Sequence, residues 1–419
     1  MVNTRIATIA LVIVVLAAGH VRAQSFGVEV FNNLMPASAG MAGASTATPQ
    51  DLQSAINGNP ATLTQYRGTQ FGLGGAWIEP TYDLSVAPPG LPFVGAFDAK
   101  SDAQGVAAPN IGVTQDYTAW GLPITTGLGL VAGSGAGVDF REVPASNGTY
   151  ASLVALDIVA GAGVSLTDRL SLGTSIILSN ATMAGPFVGN AGSSIDYALR
   201  GSVGADYQLT PDTNLGLFWK SKASYTFESL VTFPAVNPGV YFDMAVDRPQ
   251  CFGLGIANSA LLDGRLLLAM DAVYQEYTDT AMFGELFNDQ WALQFGAQYA
   301  LNQRVRLRMG YAWNENPMRD SVGDRLGGVL PPGGVAQIQY IEALFAAIPQ
   351  DRITAGVSVR DVLPGVDLDL FAGGMFEESQ TFGITTATVE SYWIGTGMTW
   401  RFGRGSCCEE DKGEQEMLE

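Results

Sequence analysis

From about Thr69 onward, the chain alternates apolar with small or polar residues in stretches of roughly ten residues or more, separated by Gly, Pro, Asp or Asn. In one stretch, Trp291 and Phe295 alternate with Gln290 and Gln294. Alternate side chains of a β-strand point to opposite faces, so each stretch predicts a strand with one apolar and one polar face. This pattern is typical of a membrane β-barrel wall, with lipid outside and a crowded or wet lumen inside.

The breaks between these stretches alternate between short turns and longer connections. The short turns are expected at 122–127, 166–169, 209–213, 262–265, 301–304 and 363–366, and the longer connections near 85–108, 134–150, 180–193, 229–240, 279–289, 315–350 and 380–388. Six turns and seven loops predict an all-β fold, a 14-stranded antiparallel transmembrane β-barrel over residues 68–402. Short periplasmic turns opposite long extracellular loops would leave both termini in the periplasm.

The N-terminal residues predict export. Arg5 precedes an apolar stretch from Ile6 to Ala18, and Val21-Arg22-Ala23 supplies a small-residue cleavage site before Gln24. We therefore expect a signal peptide over residues 1–23. This stretch is shorter than the roughly 20 apolar residues of a membrane helix, and no later segment approaches that length, so the sequence argues against a helical membrane protein.

Composition supports the barrel and excludes other classes of protein. Hydrophobic residues make up 47% of the chain and charged residues only 15%, which is unusual for a soluble protein of this size. The net charge of -19 argues against a nucleic-acid partner. Residues 403–419 predict an acidic periplasmic tail, in which we favour an incidental or structural role for Cys407 and Cys408 over metal or thiol binding.

The residue inventory also argues against an enzyme. The only histidine, His20, falls within the predicted signal peptide. The mature chain would therefore have neither a Ser-His nucleophile pair nor a histidine metal site. Acidic residues are abundant, but no spacing singles out a catalytic pair. We expect no catalytic residues, no metal and no cofactor.

The segment before the barrel, residues 24–67, is rich in Ala, Gly and Ser and does not alternate, so it predicts a small packed unit. Its Asn59 is expected to cap a short helix with Pro60 at the first position. The run at 38–45 and Asn59-Pro60-Ala61 resemble the N-terminal hatch of the FadL long-chain fatty-acid transporter family. Stretches at 307–318 and 351–357 resemble the same family. We favour a capped turn for Asn59, Pro60 and Ala61 over direct contact with a ligand.

This resemblance implies a hatch over residues 24–67 that plugs a fourteen-stranded barrel in the bacterial outer membrane. It also implies hydrophobic small molecules as substrates, fatty acids or hydrocarbons, with outer-membrane lipid and the barrel-assembly machinery as partners. Release by hatch movement, either along the bore or sideways through the wall, follows from the resemblance alone.

Lumenal cations are candidates for binding the head group of an amphipathic substrate, because a carboxylate in a poorly hydrated site needs a cationic partner. Strand parity and the hairpin near Pro211 place several of them together. The tentative substrate-binding residues are Arg200, Phe218, Lys220, Lys222 and Arg308, and Arg306 is lumenal by the same parity. The alternative, which we favour, is that Asp196, Asp206 or hatch carboxylates neutralise these cations.

The longest loop contains an apolar stretch that predicts a helix between residues 335 and 348. Its apolar residues fall on one helical face and form a candidate extracellular capture loop: Ile338, Ile341, Leu344, Phe345 and Ile348. The alternative is that this face packs on the barrel rim or on neighbouring loops. The sequence does not decide between the two.

The sequence thus predicts a passive outer-membrane channel for hydrophobic compounds. A general polar-solute porin is one alternative, although residues 24–67 look suited to plugging an open bore. A structural or adhesive barrel is another, in which the apolar loop would be a surface for a partner.

Overall fold

The computed structural model describes residues 28–185, 192–232, 239–323 and 334–402. The predicted signal peptide and the predicted tail, with Cys407 and Cys408, lie outside these residues. No helix among the described residues is long and apolar enough to cross a membrane.

Antiparallel strands dominate the described residues. The strands are β1 (Thr69–Val86), β2 (Phe97–Lys100), β3 (Val106–Ala119), β4 (Leu122–Asp139), β5 (Tyr150–Ser165), β6 (Leu170–Ala184), β7 (Ser193–Thr210), β8 (Thr213–Lys220), β9 (Ala223–Thr232), β10 (Tyr241–Arg248), β11 (Gln250–Leu261), β12 (Leu266–Glu276), β13 (Gln290–Ala300), β14 (Val305–Asn314), β15 (Asp351–Leu363), β16 (Val366–Phe382) and β17 (Thr385–Phe402). All except β2, β9 and β10 form one ring, which β1 and β17 close by pairing along their whole lengths. The ring is a closed 14-stranded barrel, so the predicted fold and strand number are confirmed.

Side chains alternate across the wall as the sequence predicts. In β7, Ile195, Tyr197 and Leu199 are 61%, 62% and 70% exposed on the outer face, whereas Ala198 and Arg200 are 5% and 2% exposed. Large apolar side chains on the outside would be costly in water and are favourable in lipid. The outer face of the barrel therefore suits a bilayer.

Three connections differ most from their predicted positions, while the other five short turns lie where the sequence places them. The turn expected at 122–127 consists of Trp120 and Gly121, whose positive φ angles of 52° and 77° suit a tight hairpin. The loop expected at 380–388 is only Gly383 and Ile384, because Ser and Thr hydroxyls bond across β16 and β17 and extend the hairpin. The loop expected from residue 134 starts later, because β4 continues to Asp139.

One hairpin is interrupted where the sequence predicts continuous strands. Ser221 and Lys222 separate β8 from β9, and Pro249 separates β10 from β11. Proline has no N–H to donate to a ladder, which explains the second break. Beyond the breaks, β9 and β10 pair with each other as a sheet of their own.

Residues 28–68, the inner segment, lie inside the barrel. They form a 3-10 helix (Ser38–Met41), helix α1 (Leu52–Asn57) and a second 3-10 helix (Pro60–Gln65). The first 3-10 helix contacts β13 to β16, and the second contacts β4 to β7 on the opposite side. Glycines in the wall permit this fit: a Cβ added at Gly216 would lie 2.1 Å from the carbonyl oxygen of Thr46.

Asn59 and Pro60 begin the second 3-10 helix as predicted. The Asn59 side chain accepts a hydrogen bond from the Ala61 amide at 3.1 Å, and Pro60 occupies the first turn. The Asn59 amide group also donates to the carbonyl oxygens of Thr46 and Ala205, both at 2.9 Å. Since Ala205 belongs to β7, this cap also fastens the inner segment to the wall.

Helices α2 (Phe283–Leu286) and α3 (Val335–Leu344) lie at the long-loop end, where they contact each other. Helix α3 also contacts β16 and β17. The Tyr82 hydroxyl donates to the carbonyl oxygen of Ala343, and Phe283 packs edge-on against Phe345 at 5.8 Å between ring centroids. An apolar cluster with β9 residues such as Phe227 fills this end of the barrel, below called the mouth cluster.

Candidate functional site

The barrel wall is interrupted between β3 and β4. Their pairing starts at the short turn and ends with Asn110 opposite Val131. Beyond that point β3 pairs with β1 as far as Val106, and β4 pairs with β5 as far as Asp139, but no β3–β4 pairing is present among the described residues. The wall gap is therefore bounded by residues 106–109 and 132–138. At the long-loop end, the gap is closed by a hydrogen bond of 2.8 Å from the Asp102 amide to the carbonyl oxygen of Asp139.

A β-bulge at Gly133 produces the gap. The β4–β5 register shifts between Ala132 and Ser134, leaving Gly133 without a partner on β5. A bulge bends its strand away from the neighbouring strand. Only glycine fits here without displacing a neighbour, since a Cβ at Gly133 would lie 2.6 Å from Oδ2 of Asp157.

An apolar cluster lies directly behind the wall gap. Val30 and Leu34 of the inner segment form its centre, Val106 and Ala108 of β3 form one rim, and Ala132 of β4 forms the other. The cluster includes Ala39 of the inner segment and continues along the inner faces of the neighbouring strands β1, β17 and β16 to Ala76, Ile78, Trp393, Phe371 and Met375. A hydrophobic molecule crossing from the lumen to the gap would meet mainly apolar side chains.

The bulge is tied to the inner segment by hydrogen bonds. The Gly133 carbonyl oxygen accepts from the Val30 amide at 3.2 Å and from Nη2 of Arg248 at 2.9 Å. Arg248 is the last residue of β10, immediately before the break at Pro249. Three separate parts of the chain therefore meet at one carbonyl group beside the gap.

Four buried charged side chains, the ion cluster, surround this point. Glu29 bonds Arg200 at 2.7 Å and Arg248 at 2.9 Å, and Arg248 also bonds Asp157 at 2.8 Å. All four side chains are at most 2% exposed, and their formal charges cancel. Burial raises the pKa of Glu29, but Arg200 and Arg248 more than offset it, so the pKa lies below its ordinary value of 4.5.

The wall is also unpaired on the other side of these strands. Ladder pairing of β7 with β8 ends with Ser202 opposite Lys220, and the described residues show none between β7 and β9. A side-chain bond from the Thr226 amide to Asp196, 2.6 Å long, holds the two together. Strands β4 to β7 therefore pair with the rest of the ring mainly near the short-turn end. Their parts near the long-loop end, which we call the wall panel, are joined to the rest of the protein mainly by the ion cluster.

Solved structures with the same architecture are available for comparison. A FadL homologue from Pseudomonas aeruginosa aligns with a TM-score of 0.65 and 14% identity, covering 90% of this chain and 100% of the other. The toluene transporter TodX of Pseudomonas putida gives 0.63 and 16%, covering 91% and 100%. The fold is that of the FadL-type outer-membrane transporters. The chain is accordingly an outer-membrane β-barrel that crosses the membrane with its strands.

Two other comparisons agree with an outer-membrane β-barrel. The toluene transporter TbuX of Ralstonia pickettii aligns with a TM-score of 0.60 and 16% identity, covering 88% of this chain and 99% of the other. The MtrB/PioB family of outer-membrane β-barrel porins matches residues 157–336 by sequence. A search of curated proteins finds no match. At these identities the structural likeness establishes the fold.

Within this FadL-type barrel, Arg200 is lumenal as expected, but its guanidinium is fully engaged by protein groups. Besides Glu29, it donates to the carbonyl oxygens of Ser221 at 2.8 Å and Pro249 at 2.9 Å. These two carbonyls mark the two strand breaks, so Arg200 holds both breaks together. The arrangement favours the predicted alternative in which a hatch carboxylate neutralises the cation.

No common site is formed by Phe218, Lys220 and Lys222, because each of them has different neighbours. The Lys220 ammonium is buried and donates to the Asn57 carbonyl oxygen at 2.8 Å, whereas Lys222 is partly exposed beside Asp247 at 3.3 Å. Phe218 packs with Phe31, Val273 and Ala292 in a small lumenal cluster. Only the Phe218 ring remains suited to direct contact with an apolar ligand.

Arg308 lies far along the ring from these residues, on β14. It bonds Asp369 at 3.0 Å and Gln298 at 2.7 Å, and it also contacts the Ser358 hydroxyl. Its nearest part of the inner segment is Gly40, whose added Cβ would lie 3.3 Å from Cβ of Arg308. The five tentative residues therefore do not form one site: Arg308 lies on β14, whereas the other four lie on β7 and at or just beyond the end of β8 with separate partners.

The predicted loop helix exists but ends at Leu344, so Phe345 and Ile348 lie just beyond it and not on its face. The predicted apolar residues are nevertheless largely buried. Ile338, Leu344, Phe345 and Ile348 are at most 5% exposed, and Ile341 is partly buried against the same mouth cluster. The helix therefore covers the mouth of the barrel from above. The position of these residues agrees with the second alternative of the sequence analysis, in which they pack on the barrel rim or on neighbouring loops.

Sequence reasoning missed Glu29, Gly133, Asp157 and Arg248. Glu29 stands in a segment without periodicity, and Gly133 is one of 51 glycines, so neither is conspicuous. A signal was present for Arg248, which is followed by Pro249 inside an expected strand. A strand-breaking proline next to an inward-facing arginine could have pointed to a special position in the wall.

Among the described residues no group of three or more His, Cys, Asp or Glu side chains is arranged to hold a metal ion. Cys251 is a free, buried thiol. Two of the structures compared above, TodX and TbuX, are toluene transporters.

Proposed function

We propose that this protein is a passive channel that carries small hydrophobic molecules from the extracellular mouth to the wall gap. The observation that carries the proposal is the gap itself, which a bulge at Gly133 opens beside an apolar cluster that lines this side of the lumen. A polar solute gains nothing from an apolar passage that opens towards lipid. A hydrophobic solute does, since it leaves water for apolar surroundings at each step.

The proposed path begins at helix α3. Its buried face belongs to the mouth cluster, which includes Tyr225 and Phe227 of β9 and reaches Val28 of the inner segment. Val30, two residues further on, belongs to the apolar cluster behind the gap. The inner segment thus connects the mouth cluster with the wall gap, and a rearrangement of residues 28–34 would let a ligand pass between them.

The ion cluster would restrain that rearrangement. Glu29 bonds arginines on β7 and β10, and its neighbour Val30 bonds Gly133 on β4. A ligand that displaces Val30 must also disturb Glu29, which costs free energy because a buried charge would lose a partner. The segment would therefore stay closed without a ligand and open when apolar contacts compensate.

Monoaromatic hydrocarbons and the acyl chains of fatty acids are the substrate classes that we propose. TodX and TbuX are described as toluene transporters, CymD as a monoaromatic hydrocarbon channel, and the P. aeruginosa protein as a FadL homologue. The apolar lining behind the gap suits both classes. Of the predicted cations, Arg200 and Lys220 already have protein partners, so hydrocarbons do not require them.

A polar-solute porin is disfavoured by the inner segment. Its helices contact opposite sides of the wall, and the mouth cluster occupies the long-loop end. A porin needs a continuous water-filled bore. Removing residues 28–67 would be expected to create one.

The test is transport by the full-length protein in cells that lack other channels of this kind, using labelled toluene, oleate and a neutral sugar. The proposal predicts that uptake of toluene or oleate exceeds that of control cells while sugar uptake is unchanged. Sugar uptake or large ion conductance from the intact protein, with no increase for either hydrophobic probe, would support the porin instead.

A further inference from the structure

A second lumenal site lies at the short-turn end, away from the wall gap. A cavity of ≈ 350 Å³ separates the inner segment from the inward faces of β14 to β17. Four arginines line it, and we call it the arginine vestibule: Arg306, Arg308, Arg360 and Arg401. Strand register explains their assembly, because Arg306 stands opposite Ser358 on β15, two positions before Arg360.

The carboxylates of the vestibule are already committed to three of these arginines. Asp369 bonds Arg308 at 3.0 Å. Arg401 bonds Asp361 at 2.8 Å and Asp367 at 3.0 Å, and Asp367 also lies 3.7 Å from Arg360. No acidic side chain of the described residues remains on this wall for Arg306.

The remaining acidic residue of the lining, Asp51, is occupied elsewhere. Its carboxylate accepts hydrogen bonds from the amides of Ala37, Ser38 and Ser54, at 3.0, 2.8 and 2.7 Å. These bonds fix the beginning of α1 and turn the carboxylate towards main-chain donors. Asp51 therefore contributes little to balancing the arginines.

Two arginines of the vestibule have guanidinium N–H groups without an acceptor among the described residues. The described residues provide neither an ion pair nor a hydrogen bond for the partly buried side chain of Arg306. The Nε–H of Arg401 is fully buried and also lacks an acceptor among them. Buried donors without acceptors are costly, and a planar guanidinium is suited to binding a carboxylate with two parallel hydrogen bonds.

We propose that the arginine vestibule is a binding site for one carboxylate anion, held mainly by Arg306. A single negative charge balances the one arginine that lacks a protein partner, and the carboxylate oxygens supply the missing acceptors. The cavity volume falls in the range of small-molecule sites, so the anion is a small organic acid or the head of a short amphiphile. The site does not depend on passage through the wall gap.

The experiment is calorimetric binding of octanoate to the purified full-length protein in a non-ionic detergent, with octanol as the uncharged counterpart. Octanoate is expected to bind more tightly than octanol. Arg306→Gln should weaken octanoate binding at least about tenfold, the effect of losing one charge-assisted hydrogen-bonding group, and Arg306→Lys should restore part of it. Octanol binding should not change.

The matched control is Arg169→Gln, an exposed arginine in the lining of a neighbouring cavity at the same end. It removes the same charge and should leave octanoate binding unchanged. Equal weakening by Arg169→Gln and Arg306→Gln would reduce the effect to net charge and overturn the proposal. Octanoate binding that Arg306→Gln leaves intact would overturn it as well.

Two further arms distinguish the source of the anion. Inorganic phosphate that competes with octanoate more strongly than acetate does would contradict a carboxylate site.

The second arm is a variant that ends at Phe402 and so lacks the acidic residues 403–419. Octanoate binding by this variant but not by the full chain would mean that tail carboxylates occupy the vestibule, and the small-molecule site would be rejected. Gly133→Ala should still bind octanoate, which would show that the vestibule works independently of the proposed passage through the wall gap.

Discussion

The main-chain amide of Val30 donates a hydrogen bond of 3.2 Å to the carbonyl oxygen of Gly133, which joins the inner segment to the bulge in the barrel wall. The residue before Val30 is the buried Glu29, and Asp157 follows Leu156, the β5 partner of Ala132 beside the bulge. The wall gap, the inner segment and the ion cluster are thus parts of one connected structure. A change in any of them is expected to affect the others.

Replacing Gly133 by alanine tests the role of the bulge in transport. The new Cβ would lie 2.6 Å from Asp157, so either the bulge or the ion cluster must shift. We expect uptake of a hydrophobic probe to fall roughly tenfold, the effect of about 1.4 kcal/mol on a barrier. Gly135→Ala is the matched control, because a Cβ there meets nothing within 4 Å. Equal uptake by the two variants would argue against the bulge as part of the passage.

Replacing Glu29 by glutamine tests the ion cluster. Arg200 and Arg248 would each lose a charged partner in a site that is at most 2% exposed. Breaking a buried ion pair costs about 3 kcal/mol or more, so the free energy of unfolding in urea should decrease by that amount. Glu228→Gln, at an exposed position on β9, should have almost no effect. Similar unfolding curves for both variants would contradict the account.

The carboxylate of Glu29 should also make the stability of the protein depend on pH in the acid range. The pKa of Glu29 in the folded protein lies below its ordinary value of 4.5, so the unfolded chain binds more protons in the interval between them. Its stabilising contribution is complete above pH 4.5 and is lost as the pH falls through the lowered value. Urea midpoints of the wild type should decrease across this acid range more steeply than those of Glu29→Gln. Parallel pH profiles would show that Glu29 does not titrate as proposed.

Glu342 on α3 should produce the opposite dependence. Burial raises its pKa to about 8, partly offset by the hydrogen bond from the Arg319 amide. Because this value exceeds the ordinary 4.5, the folded state binds more protons between the two, and packing of α3 should weaken as the pH rises from 4.5 through 8. Proteolysis of the loop around α3 should accelerate over this range in the wild type. In Glu342→Gln the rate, corrected for protease activity, should stay flat, and a matching rise there would refute the assignment.

Asn59 should matter for stability through three hydrogen bonds. Asn59→Ala removes the cap on Ala61 and both bonds to Thr46 and Ala205, and we expect a loss of about 2 kcal/mol in the free energy of unfolding. Asn59→Ser retains an oxygen that can cap the 3-10 helix and should lose about half as much. If ligand affinity falls in Asn59→Ser while stability is unchanged, direct ligand contact becomes the better interpretation of this residue.

Local pattern was sufficient to predict the barrel and the cap of the inner segment. The alternation of Ile195, Tyr197 and Leu199 with Ala198 and Arg200 determines which face meets lipid, and this requires no knowledge of distant residues. The Asn59-Pro60 pair likewise acts within one turn of chain. Errors arose where polarity was taken for a loop, as in the Ser and Thr residues of the β16–β17 hairpin.

The candidate site could not be predicted in the same way. Glu29 meets Arg248 across 219 positions of sequence, and Arg200 meets Glu29 across 171. Parity places Arg200 inside the barrel but does not identify its partners. A glycine is needed at position 133 only because β5 places Asp157 beside it, which depends on strand register.

Photolabelling of the ligand path tests the central claim most directly. The full-length protein in outer-membrane vesicles would be illuminated with a diazirine derivative of an aromatic hydrocarbon or a fatty acid, and the labelled residues would be mapped by mass spectrometry. The account predicts labels at residues 106–109 and 132–138, on the two rims of the wall gap, and their loss in Gly133→Ala but not in Gly135→Ala. Labels confined to the short-turn end of the lumen, around Thr64, Arg67 and Gln70, would contradict it and indicate axial release.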